Sequence, residues 1–305
     1  MSDAESQAAD RRRPPQMAKA IAALSAIGLA MLTLATPIRA DEPRRIASIG
    51  GAVTEILYRL GVEERIVAVD STSLHPSDAT RKPNVGYIRA LSAEGVLWLS
   101  PDLVIMEESA GPPEAVALID QSGIPVVHVP TGFATDALTR KIREVATAVG
   151  KSSEGEAVAS QLEGDLDRLA TDLKAVKRKV RVLFVLSLVD GRPMAAGADT
   201  AANRIVELAN AENVFAQVQG YKTISPEAAA ALNPDVVLMV ENAGPNHAGT
   251  DVLALPAFAA TNAGKTGALI KMDALYLLGF GPRTAQAARD LAARLYPELK
   301  LTENR

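Results

Sequence analysis

The stretch from Leu91 to Met106 (LSAEGVLWLSPDLVIM) returns 133 residues later, from Ile224 to Met239, as ISPEAAAALNPDVVLM, with Ser, Glu, Leu, Pro, Asp, Val and Met in register. A unit repeated at that spacing implies two similar lobes. The match continues upstream, where Gly86-Tyr87 precedes the first copy and Gly220-Tyr221 the second, one residue nearer. A weaker correspondence links Gly51–Val69 with Gly197–Ala216 in the same order.

Strand and helix patterns alternate within each unit. Arg45–Ile49, Ile66–Val69 and Leu103–Met106 read as short strands, Val53–Leu60 as a helix closed by Gly61, and Ala93–Leu99 as a helix stopped by Pro101. Pro125–Val129, with His128 inside it, is expected to be a buried parallel strand. Val182–Leu186, Val236–Val240 and Ala268–Ile270 repeat the scheme. The alternation predicts an α/β fold of two doubly wound, Rossmann-like lobes with a ligand cleft between them. Between them, Val158, Leu162, Leu166, Leu169, Leu173 and Val176 step by four and three through Glu156–Lys177, the stripe of an amphipathic helix. With no proline inside and no Gly/Ser-rich flank, it is expected to be a stiff connector that permits little lobe closure. The expected boundaries are 1–40 for a signal peptide, 41–150 for the N-terminal lobe, 151–178 for the connecting helix and 179–305 for the C-terminal lobe.

The leader follows from charge and hydropathy. Arg11, Arg12, Arg13 and Lys19 precede an uncharged run from Ala20 to Ala35 and a small-residue end at Ala40, the layout of a secretory signal peptide. That run falls short of the roughly 20 residues needed to span a bilayer, and no longer one follows. The expected product is a soluble periplasmic monomer with no integral membrane segment in the mature chain. The absence of cysteine excludes a thioether lipid anchor, thiolate catalysis and Cys-ligated zinc or iron–sulfur clusters. Thirty-two basic against 36 acidic side chains disfavour nucleic acid as a partner. With no Gly-x-Ser-x-Gly, no Walker-type loop and no close His/Asp/Glu cluster, a binding protein is expected rather than an enzyme.

Ligands in such folds sit at the carboxyl ends of strands, which directs attention to the loops before the repeated helices. Gly86 lets the backbone bend so that Tyr87 faces outward. A guanidinium nearby, here Arg89, favours phenolate and lowers a pKa that is ordinarily about 10. A phenolate is a hard anionic ligand suited to ferric iron, and tyrosine is among the protein ligands of haem iron. Tyr221 lines the opposite wall by its repeat position, either stacking on a ligand or closing a lobe core. Arg283 follows Gly279-Phe280-Gly281-Pro282, with the proline expected at the first position of a helix over Thr284–Ala293. The backbone N–H groups of such a start, with the guanidinium, favour carboxylates. His75 is expected to cap a turn, and Trp98, on a helix face matched by Ala231, is expected to be structural.

Val85-Gly86-Tyr87-Ile88-Arg89-Ala90-Leu91-Ser92-Ala93-Glu94-Gly95, with Pro193–Gly197 and Leu277–Thr284, resembles the periplasmic haemin-binding proteins of bacterial haem ABC importers, which are class III binding proteins. The resemblance runs from about Arg44 to about Leu295. It implies that haem b, as the transported ligand, is held between two lobes joined by a rigid helix and passed to an inner-membrane permease. The family's axial tyrosine falls on Tyr87 and its neighbouring arginine on Arg89. Haem propionates call for cations, for which Arg283 and the weaker Lys222 are candidates. His247, in a second-lobe loop, is a candidate second iron ligand; Glu241 is acidic where family members often carry a basic residue. Glu94 and Glu227 hold equivalent places at helix starts, where the helix dipole alone favours an acid. The resemblance adds a role in docking, one glutamate per lobe, onto the basic surface of a permease dimer. A ferric-siderophore or cobalamin binder of the same class is the competing reading, and one haem or a stacked pair remains open.

Overall fold

The computed structural model describes residues 42–241 and 252–301, so the leader and His247 lie outside the described residues. The N-terminal lobe runs β1 (Ile46–Ile49), α1 (Gly51–Arg59), β2 (Ile66–Val69), a small hairpin of β3 (Gly86–Tyr87) and β4 (Ala90–Leu91), α2 (Ala93–Trp98), β5 (Leu103–Glu107), α3 (Pro113–Asp120), β6 (Val126–Val129) and α4 (Thr135–Ala148). Its sheet has the order β2-β1-β5-β6 with every pair parallel. The connector is α5 (Ser152–Asp172), followed by one 3-10 turn over Leu173–Ala175.

The C-terminal lobe runs β7 (Arg181–Val189), β8 (Arg192–Ala196), α6 (Ala201–Leu208), β9 (Glu212–Asn213), β10 (Tyr221–Thr223), α7 (Pro226–Leu232), β11 (Val236–Glu241), α8 (Asn262–Thr266), β12 (Leu269–Asp273), α9 (Ala274–Leu278) and α10 (Thr284–Leu295). Its sheet has the order β10-β8-β7-β11-β12, with β9 also on β7. The β7–β11–β12 and β7–β9 pairings are parallel, but β7–β8 and β8–β10 are antiparallel, so this sheet is mixed rather than all parallel. The cause is local: Asp190 and Gly191 both take positive φ, 50° and 74°, and fold β8 back as a two-residue hairpin.

The duplication read from sequence is a duplication of contacts. Ser92 and Ser225 cap their helices by accepting from the N–H of Gly95 at 3.0 Å and Ala228 at 3.2 Å. At the other end, Arg45 donates to the carbonyls of Leu99 and Ser100, and Arg181 to those of Leu232 and Asn233. Asp102 accepts the Arg45 N–H at 2.9 Å, and Asp235 accepts the Arg181 N–H at 3.1 Å. The Pro-Asp shared by the two copies thus fastens each repeated helix to the first strand of its sheet.

Alternation along the strands sorts side chains onto two faces. Ile46, Leu103, Ile105, Val182, Phe184, Leu238 and Val240 enter one common apolar core that includes Ala159, Leu162, Leu166, Leu169 and Leu173 of the connector. The opposite faces build separate cores, one per lobe. Because both sheets and α5 share the central core, hinging would expose apolar surface, which supports the stiffness expected of the connector. Two expectations fail. β6 is an edge strand and His128 is exposed, pairing with Asp120 at 2.9 Å instead of lying buried. Trp98 is 83% exposed and therefore not a packing residue.

Candidate functional site

The β3–β4 hairpin is built to present two side chains. Ile88 and Leu91 sink into the outer core of the N-terminal lobe with Val85 and Val96. Tyr87 and Arg89, on either side of Ile88, are left in solvent, Tyr87 at 49% exposure. Gly86 permits the turn: its φ is 104°, and a Cβ there would approach the Ala90 carbonyl oxygen at 3.0 Å. Reciprocal bonds between the loop of Gly111 and the hairpin, Leu91 N–H to Gly111 O and Gly111 N–H to Ile88 O, both 2.8 Å, fix it to the lobe.

The second Gly-Tyr occupies a comparable station. Gly220 has φ 71° and Tyr221 opens β10, paired with Ala196 of β8. The start of α6, with the Ala202 N–H and the Thr200 side chain, lies beside the Tyr221 phenol. Burial raises its pKa above the usual phenol value, and the Arg89 guanidinium is the largest opposing influence. Arg89 belongs to the N-terminal lobe and Tyr221 to the C-terminal lobe, and the guanidinium lies within Coulombic range of the phenol. Lys222 leaves the strand on the opposite face from Tyr221, since successive side chains alternate, and does not share its wall.

Arg283 is committed elsewhere. Its guanidinium lies 2.8 Å from Glu55 Oε2 and its backbone N–H donates to Glu55 Oε1 at 3.2 Å. This helix start does hold a carboxylate, but an internal one. Pro282 precedes the cap residue Arg283 instead of occupying the first helical position. With His75, Tyr58 and Gln161, this pair lines a cavity of about 330 Å³ where α1, α5 and α10 meet. None of Tyr87, Arg89 and Tyr221 lines it.

Further polar groups that the sequence reading missed set the strand ends. Asp70, fully buried, accepts from Gly50 N–H at 2.8 Å, Thr72 N–H at 2.9 Å and the hydroxyls of Thr72 and Ser73. Lys141 of α4 pairs with Glu107 at 3.0 Å with the lysine fully enclosed. The bonds of Asp70 to Thr72 and Ser73 are a local Asx-type turn, whereas its bond to Gly50 and the Lys141–Glu107 pair depend on the fold. Among the described residues no group of three or more His, Cys, Asp or Glu side chains could hold a metal ion, and no helix is long and apolar enough to cross a membrane. Glu94 and Glu227 are exposed in the first turns of α2 and α7, as their repeat positions require. Hydrogen bonds from its own N–H and from Ser225 hold the Glu227 pKa below the usual range.

Residues 46–276 match the family described as periplasmic binding protein. Among solved structures, the periplasmic heme-binding protein RhuT from Roseiflexus sp. RS-1 is 38% identical with a TM-score of 0.80, covering 84% of this chain and 99% of that one. The periplasmic heme-binding protein BhuT in complex with two hemes is also 38% identical, with a TM-score of 0.78 and coverage of 84% and 98%. Among curated proteins, an ABC transporter substrate-binding lipoprotein of Bacillus subtilis, YvrC, is 25% identical over 84% of this chain and 81% of its own. A vitamin B12-binding protein of Vibrio parahaemolyticus is 25% identical over 67% and 74%. The duplicated α/β lobes, the long connector and this match over most of the chain give one conclusion: the protein belongs to the periplasmic binding protein family, the substrate-binding components of ABC importers.

Proposed function

We propose that this protein captures haem b in the periplasm, with the Tyr87 phenolate as axial ligand to ferric iron, and hands it to an inner-membrane ABC permease. The observation that carries the reading is the outward Tyr87-x-Arg89 hairpin, with Tyr221 of the second lobe within Coulombic range of the same guanidinium. These side chains would offer an anionic oxygen for iron, a cation for the phenolate or a propionate, and an aromatic face for the macrocycle. The solved relatives whose names record heme binding point the same way. The relatives named for vitamin B12 favour a corrinoid instead, a ligand with no need of a phenolate.

Haemin titration followed at the Soret band separates the two. A high-spin tyrosinate spectrum that is lost in Tyr87→Phe supports haem and its stoichiometry reports one or two molecules; a colourless mixture that binds cobalamin overturns the proposal. His247→Ala tests a second axial ligand through the same spectrum. Delivery is assigned to Glu94 and Glu227, one per lobe. Reversing both charges is expected to abolish haem uptake while the Soret titration is unchanged, and uptake that survives removes these residues from docking.

A further inference from the structure

Trp98 is the chain's single tryptophan, and it ends α2 at 83% exposure. Trp carries a large apolar area and is concentrated at the energetic centres of protein interfaces. It stands four residues after Glu94, and residues so spaced share a helix face. Helical side chains lean toward the N-terminus, so the indole covers the turn bearing Glu94. The neighbouring helix α3, packed on α2, repeats the arrangement with Glu114 in its first turn and Leu118 one turn later, both exposed. Neither helix contains a lysine or arginine.

We infer that the α2–α3 face of the N-terminal lobe is an apolar-centred docking surface, in which Trp98 inserts into a pocket on the basic periplasmic face of the permease. This rests on the docking reading of Glu94 and extends it from charge to a desolvated anchor. The chemistry of the patch selects the occupant. Glu94 and Glu114 repel anionic lipid headgroups, and two copies of this face would set like charges against each other. A basic protein surface with an apolar recess satisfies both the acids and the indole. The repeat sharpens the point: α7 keeps the acid, Glu227, but has Ala231 where α2 has Trp98. The two lobes therefore present unlike surfaces, one anchored by the indole and one by charge.

A lone tryptophan is its own reporter. With 5-fluorotryptophan incorporated into this protein alone, the single 19F resonance of the haem-free chain is expected to shift and broaden on adding its cognate permease in lipid nanodiscs. Empty nanodiscs of the same lipid, or a higher concentration of the protein by itself, are expected to leave it unmoved. Trp98→Ala is expected to weaken permease binding about tenfold or more, with Trp98→Phe intermediate and the haemin titration unchanged in both. An unmoved resonance with permease overturns the inference, as does a shift with empty nanodiscs (a membrane contact) or with protein concentration (self-association). Glu94→Lys separates the two layers. Loss of docking in Glu94→Lys but not Trp98→Ala sinks the indole anchor and leaves the glutamate reading intact. The reverse result keeps the anchor and removes Glu94, and binding unaffected by either removes this face from docking altogether.

Discussion

Glu55 and Arg283, 228 residues apart in sequence, hold each other at 2.8 Å and join α1 of the N-terminal lobe to the start of α10 in the C-terminal lobe. Glu55 is buried, and the Arg283 guanidinium also lies 5.0 Å from the centroid of the Tyr276 ring, whose hydroxyl donates to Asp290 at 2.7 Å. Removing one partner of such a pair strands the other charge. Arg283→Met is expected to cost about 3 kcal/mol in urea unfolding, with part recovered in the Glu55→Leu/Arg283→Met double variant. Its haemin affinity is expected to stay within twofold of the parent. A stable Arg283→Met protein with tenfold weaker haemin binding would return this arginine to the ligand.

The same cavity contains a pH response. Burial first, and then the Arg283 charge, hold the His75 pKa below its ordinary value of 6.5, against the pull of Glu55 and Asp273. The folded state therefore resists a proton that the unfolded chain accepts. Stability is complete above about pH 6.5 and declines as the pH falls through that value toward the depressed folded pKa. Thermal unfolding between pH 7.5 and 5 is expected to show this slope, and His75→Gln to flatten it. The lowered carboxylates of Glu227 and Asp235 act in a separate window, at roughly pH 4 and below.

Gly155 sits where α5 packs tightly against α4. A Cβ at this position would lie 2.2 Å from the Ala146 Cβ, inside the core that both lobes share. Gly155→Ala raises intrinsic helix propensity by about 1 kcal/mol, yet the enforced separation of the helices is expected to dominate. A net loss of about 1–3 kcal/mol in denaturant unfolding is the expected outcome. A stabilised variant would show that the connector can shift at little cost.

Local signals carried the architecture a long way. The repeated helices and the apolar stripe of α5 are written in residues close along the chain, and each lies where its pattern places it. The Asp190-Gly191 hairpin, which makes the second sheet mixed, lies outside the strand–helix alternation read from the sequence. His128 and Trp98 were misjudged for a different reason. Periodicity tells which residues share a face, not whether anything covers it: β6 is an edge, and among the described residues nothing covers Trp98 on the outer side of α2. The Glu55–Arg283 pair and the reach of Arg89 to Tyr221 depend on lobe placement, which no window of sequence contains.

That last relationship gives a test independent of any ligand. Three influences act on the Tyr221 phenol: burial raises its pKa, while Arg89 and the polar groups at the start of α6 lower it. Arg89→Ala removes an attraction for the phenolate and leaves burial in place, so the Tyr221 pKa is expected to rise further. Arg89→Lys keeps the positive charge and should restore much of the parent value. Titration of 13Cζ-tyrosine by NMR, with Tyr221 assigned through Tyr221→Phe, reads this directly. If the Tyr221 resonance titrates identically in the parent and in Arg89→Ala, the guanidinium does not lie within Coulombic range of the phenol, and the geometry behind the haem proposal is lost with it.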